Sequence, residues 1–107
     1  MSVKKRMVKK MSDKRFEKLC NYFYSIKDEC IKLMYDCDNV DDVNNIFNEY
    51  TSELCGGYNV GFMLTDYEHE RSKLLSVFDE CLNLMCFKCL LYMNVLNDEG
   101  RLLIWMI

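Results

Sequence analysis

From Phe16 to Cys37 the apolar residues recur at steps of three and four: Phe16, Leu19, Cys20, Phe23, Ile26, Cys30, Leu33, Met34 and Cys37. That is the α-helical period, and a stripe this long marks one whole side of a helix as a surface that has to be buried. Glu17, Lys18, Asn21, Ser25, Asp28, Glu29, Lys32 and Asp36 occupy the opposite side. Ser12 or Asp13 can accept the amide protons left free at the helix start. The helix is expected to end within Asp36 to Asn39, and the rest of the chain must cover its stripe.

A second helix follows from Val40, Val43, Phe47, Tyr50 and Leu54, again at steps of three and four, with Asp41 and Asp42 in the favourable first turn. Gly56 and Gly57 are expected to end it, and two helices joined by a short loop pack antiparallel. Beyond the glycines, Tyr58, Val60, Phe62 and Leu64 share one parity, which predicts a short strand. Thr65 and Glu68 have the spacing of a capping box for a third helix, whose apolar face is Leu74, Leu75, Phe78, Cys81, Leu82 and Met85. Phe87, Cys89, Leu91, Met93 and Val95 then alternate, Asn97 to Gly100 has the composition of a tight turn, and Arg101 to Ile107 is a second apolar run.

The expectation is therefore a helix-dominated α+β domain, two antiparallel helices followed by strand, helix and terminal hairpin. The alternative is an all-α three-helix bundle with an apolar C-terminal tail, because Met85, Cys89, Tyr92 and Leu96 also fit a helical stripe. A chain of 107 residues accommodates one core, so residues 13–107 are assigned to a single domain and residues 1–12 to a flexible basic arm.

That arm belongs to a pronounced charge split. Eight of the fourteen basic residues lie in the first eighteen positions: Lys4, Lys5, Arg6, Lys9, Lys10, Lys14, Arg15 and Lys18, against Asp13 and Glu17. The remainder holds six basic and fifteen acidic side chains. Such an arrangement marks an interaction surface, and Lys4, Lys5, Arg6, Lys9 and Lys10 are the candidate residues for targeting or for binding nucleic acid or an anionic membrane face. No aromatic residue interleaves with the charges before Phe16, so the arm itself lacks a stacking platform for single strands.

The seven cysteines do not form an evident disulfide framework: their number is odd and no apolar leader precedes them. A reducing cytoplasmic or nuclear location is expected, without secretion. The longest apolar run, Leu102 to Ile107, is too short to span a bilayer. Cys81, Cys86 and Cys89, with His69 upstream, could be counted as zinc or thiol chemistry, but Cys81 and Cys86 lie about 140° apart on a helix and Cys86 and Cys89 on opposite faces of a strand. No metal or other cofactor is expected. Cys20, Cys30 and Cys37 fall on the buried stripe, where a reduced cysteine behaves as a small hydrophobe.

His69 has no surrounding catalytic pattern, and Gly56, Gly57 and Gly61 lack the lysine and hydroxyl of a phosphate loop. Catalysis is not expected. Alanine, proline and glutamine are absent while Lys, Asn, Tyr, Phe, Met and Ile are plentiful. In this usage the chain resembles small accessory proteins of large DNA viruses, insect viruses included. The function expected is that of a non-enzymatic intracellular accessory or regulatory protein acting by macromolecular interaction. Its partner is another protein or a second copy, docked at Leu103, Trp105 and Ile107; nucleic-acid binding by the arm and a cysteine-based metal or thiol protein are the alternatives.

Overall fold

The stripe that begins at Phe16 is covered by two further helices. The computed structural model describes the backbone of residues 2–65 and 68–97, and the side chains of 14–65 and 68–97. Within these the chain forms α1 (Ser2–Tyr35), α2 (Val40–Leu64) and α3 (Glu68–Asn97), with no strand among the described residues.

Contacts between helices set the topology. Leu19 of α1 lies against Gly61 of α2, which also touches Leu74 of α3. Further along, Phe23 meets Gly57 and packs edge-on against Phe78, with ring centroids 6.4 Å apart. Beyond that, the Tyr50 hydroxyl donates to Glu29 Oε1 at 3.0 Å, and Tyr35 meets Tyr92 at 5.7 Å. As α1 numbers rise, α2 numbers fall and α3 numbers rise. The molecule is an up-down-up three-helix bundle, with α2 antiparallel to both neighbours.

Its core holds Cys20, Phe23, Ile26, Cys30 and Met34 from α1, Val43 and Leu54 from α2, and Leu74, Val77, Cys81, Met85 and Cys89 from α3. Phe23, Met34, Leu54, Leu74 and Met85 are fully enclosed. Truncating an enclosed aromatic such as Phe23 to alanine costs about 3–5 kcal/mol, a large part of the stability of a domain this size.

The α+β expectation is overturned in two places. Gly56 and Gly57 do not end α2, and Tyr58 to Leu64 is helix rather than strand. The buried positions here are Leu54 and Gly61, with Tyr58 half-buried between them and Thr65 buried after them. Steps of four, three and four are helical, but one of those positions is a glycine, so the stripe has no apolar side chain to announce it. Gly57 and Gly61 are packing residues: a β-carbon at Gly57 would lie 3.0 Å from a ring carbon of Phe23, and one at Gly61 would collide with Leu19 Cδ2.

The second correction concerns the terminal hairpin. Residues 87–95, expected as its first strand, are part of α3, whose buried Met85 and Cys89 continue into the half-buried Tyr92 and Leu96. The bundle alternative is the arrangement adopted. The second expected strand, Arg101 to Ile107, lies outside the described residues, as do Leu103, Trp105 and Ile107 themselves.

The connections follow local chemistry. Asn39, extended at φ −143° and ψ 160°, accepts the Asp42 amide at 2.8 Å and starts α2. Thr65 does not open a capping box for α3. It closes α2 instead, its amide donating to the Gly61 carbonyl at 3.0 Å and its hydroxyl to the Phe62 carbonyl at 3.1 Å. Arg71 then binds the turn from α3, Nε donating to the Thr65 carbonyl at 3.1 Å while its guanidinium lies 4.5 Å from the centre of the Phe62 ring.

Candidate functional site at the basic end of the bundle

Leu19 is level with Gly61, and α2 ends three residues later at Leu64. On the antiparallel α1, Arg15 occupies the corresponding level, one helical turn before Leu19. The segment of α1 before Lys14 therefore runs past the end of α2, and at 1.5 Å per residue this overhang measures about 18 Å. An overhanging helix accounts for a longest dimension of 65 Å against 23 and 17 Å across.

The overhang is where Lys4, Lys5, Arg6, Lys9 and Lys10 fall in the sequence, so the basic run belongs to the backbone of α1. At its base Lys14, Arg15 and Lys18 are exposed. The body behind is acidic, and much of that acid is spread along the bundle on the outer faces of the helices, including Glu29, Asp41, Asp42, Glu49, Glu53, Asp79 and Glu80. Net charge is thus biased along the long axis, with the exposed Glu17 and Glu68 also standing at the basic end.

Three glutamates of the body join the helices through tyrosine. Besides Tyr50 and Glu29, the Tyr22 hydroxyl donates to Glu53 Oε1 at 2.8 Å and that of Tyr24 to Glu80 Oε2 at 3.3 Å. Desolvation and the Glu29 carboxylate push the Tyr50 phenol up to about 12, and the hydrogen bond to Glu53 raises that of Tyr22. These phenols stay protonated at neutral pH and work as donors.

The same end carries a second feature. Val60, Phe62, Met63 and Leu64, the last turns of α2, are all exposed. They lie on the outer side of these turns, and Phe62 among them is met from α3 by the Arg71 guanidinium.

Between α1 and α3, just inside this end, lies an open groove of about 520 Å³ lined by Phe16, Glu17, Cys20, Asn21, Tyr24, His69, Glu70, Lys73 and Val77. Lys73 Nζ stands 5.6 Å from the centre of the Phe16 ring. His69 is exposed, and Glu70 is buried in the first turn of α3, where the helix N-terminus favours a carboxylate. The groove contains a thiol, but burial pushes Cys20 up and Lys73 offsets this only in part. Cys20 is therefore a poor nucleophile at neutral pH.

Three further cysteines sit likewise, while Cys37, Cys55 and Cys86 are half-buried. Cys30, Cys81 and Cys89 are buried, with burial raising Cys30 to about 12 and Cys81 to about 11. The Cys37 thiol donates to the Leu33 carbonyl at 3.2 Å. Cys81 and Cys89 face the core while Cys86 is only half-buried, and among the described residues no three His, Cys, Asp or Glu side chains are grouped to hold a metal. No described helix is long and apolar enough to cross a membrane.

Sequence reasoning located the basic cluster but missed the apolar end beside it. Exposed apolar residues at a helix terminus have no period, and Val60 to Leu64 was instead read as part of a strand. No protein-family model, curated protein or solved structure matches this chain.

Proposed function

We propose that this is a non-enzymatic accessory protein that binds a polyanionic macromolecular surface through the basic end of its bundle. The observation that carries this reading is the overhang of α1, which holds the basic run beyond the acidic body. A field divided along the long axis attracts a polyanion to one end and repels it from the other, so it orients the encounter. Cys20, Cys30, Cys81 and Cys89, whose burial keeps them as thiols, favour binding over catalysis and suit a reducing compartment, cytoplasmic or nuclear.

Heparin chromatography of the full chain in a salt gradient tests the proposal. Retention at physiological ionic strength is expected, with clearly earlier elution of a variant carrying Lys9→Glu, Lys10→Glu, Lys14→Glu and Lys18→Glu. Equal elution of the two proteins would exclude the basic end as the binding surface.

A second reading, docking of a protein partner or second copy, is favoured by the exposed Leu84, Phe87 and Leu90 on the outer side of α3. Light scattering after size exclusion would show a concentration-dependent dimer that Phe87→Ser abolishes. A monomer at all concentrations would remove self-association.

A further inference from the structure

We propose that residues 101–107 fold back along the outer side of α3 and cover its exposed row Leu84, Phe87 and Leu90. This goes beyond the polyanion reading and gives that face an occupant other than a second copy. The three side chains are 39, 60 and 63% exposed. Their surroundings set them apart from the single exposed hydrophobics that any protein carries. From Asn83 to Asn97 the exposed positions are Asn83, Leu84, Phe87, Leu90, Asn94 and Asn97, with no charge among them. The one charged side chain of this stretch, Lys88, is half-buried and stands 5.8 Å from the centre of the Tyr92 ring. The first half of α3 differs, with Glu68, Lys73, Asp79 and Glu80 exposed on it. A helix whose outer side turns uncharged and apolar over its second half presents a face to be covered.

The occupant follows from the chain itself. α3 ends at Asn97, Asn97 to Gly100 has the composition of a tight turn, and the run Arg-Leu-Leu-Ile-Trp-Met-Ile comes next. Reach and register then agree. Along the helix, Leu90, Phe87 and Leu84 lie about 10, 15 and 20 Å back from Asn97. In an extended run that begins level with Asn97, the third, fifth and seventh residues lie about 10, 17 and 23 Å back. Those are Leu103, Trp105 and Ile107, alternate residues that share one side of an extended segment. Each comes level with one member of the α3 row. Tethering decides between this segment and a second copy, because a short linker gives an effective concentration on the order of millimolar that a dilute second molecule does not match.

The test is the intrinsic fluorescence of the full chain, whose single tryptophan is Trp105. Emission maximum and acrylamide quenching are read for the wild type, for Phe87→Ser with Leu90→Ser, and for Leu75→Ser, with light scattering giving the mass in each sample. All three substituted positions are exposed, so the helical circular dichroism should be unchanged. Leu75 is the control: it lies about 33 Å from Asn97, whereas the eight residues to Trp105 span at most about 29 Å. The wild type is expected to be monomeric at micromolar concentration, its emission blue-shifted and its quenching reduced relative to the urea-unfolded chain. The double variant should move both readings to the unfolded values, and Leu75→Ser should move neither. A wild-type tryptophan already as exposed as in urea overturns the proposal, as does an equal shift in Leu75→Ser. So does a shielded tryptophan indifferent to the double variant, which puts the segment elsewhere, or one whose shielding is lost on dilution together with a dimer, which gives the face to a second copy. None of these outcomes bears on heparin elution, so the polyanion reading stands or falls separately.

Discussion

Cys30 is a thiol that the fold withholds from chemistry. It is fully enclosed, and with its thiol raised to about 12, and that of Cys81 to about 11, the fold keeps both protonated where an unfolded chain ionises near 9. Above that pH the unfolded state binds fewer protons than the folded one, so stability falls as pH rises. The contribution is complete below about pH 9 and is lost progressively as the pH climbs through 11 to 12. Urea denaturation from pH 7 to 11 should therefore show a flat region and then a decline, shallower in Cys81→Ala even though that variant starts less stable. A decline of equal slope in both proteins would show that the Cys81 thiol is not held protonated by burial.

At the scale of the helices, α2 runs uninterrupted through Gly56, Gly57 and Gly61. The three glycines should respond differently to a side chain. A β-carbon at Gly56 meets nothing within 4 Å, so Gly56→Ala gains helix propensity without a clash and should stabilise by about 0.5–1 kcal/mol, raising Tm by a few degrees. Gly61→Val should destabilise by about 1–3 kcal/mol, since Leu19 and Leu74 already fill that space. Thermal unfolding of the two variants distinguishes one continuous helix from a helix broken at the glycines, where alanine would strain the break and destabilise.

These glycines also mark the limit of what could be read from the chain alone. The stripes of α1 and of the first part of α2 were legible because Phe23, Ile26, Val43 and Leu54 are apolar at buried positions. Beyond Leu54 the signal reversed: a buried position became glycine, while Val60, Phe62, Met63 and Leu64 stand exposed. The second half of α3 misled in a related way, since the exposed Phe87 and the half-buried Leu91, Met93 and Val95 share the parity of the buried Cys89 and produced an apparent alternation. Of the candidate site, charge was legible because it needs no fold to be counted. The apolar tip was not, because the exposure of these last turns of α2 and the unequal lengths of α1 and α2 emerge only once the helices are packed.

For the whole molecule, that inequality of length turns a charge gradient along the sequence into a gradient along an axis. The overhang of α1 is basic, the bundle behind it acidic, and Val60, Met63 and Leu64 stand exposed where the two meet. On the proposed reading, a surface so placed engages a polyanion with one end. The most direct check is an amide-resolved NMR titration of the full chain with a heparin oligosaccharide. Saturable shifts are predicted at Lys14 to Lys18 and from Val60 through Thr65, with the opposite end, from Tyr35 to Val43, unmoved. Shifts concentrated around Tyr35 to Val43, or no saturable change at Lys14 to Lys18, would contradict the account.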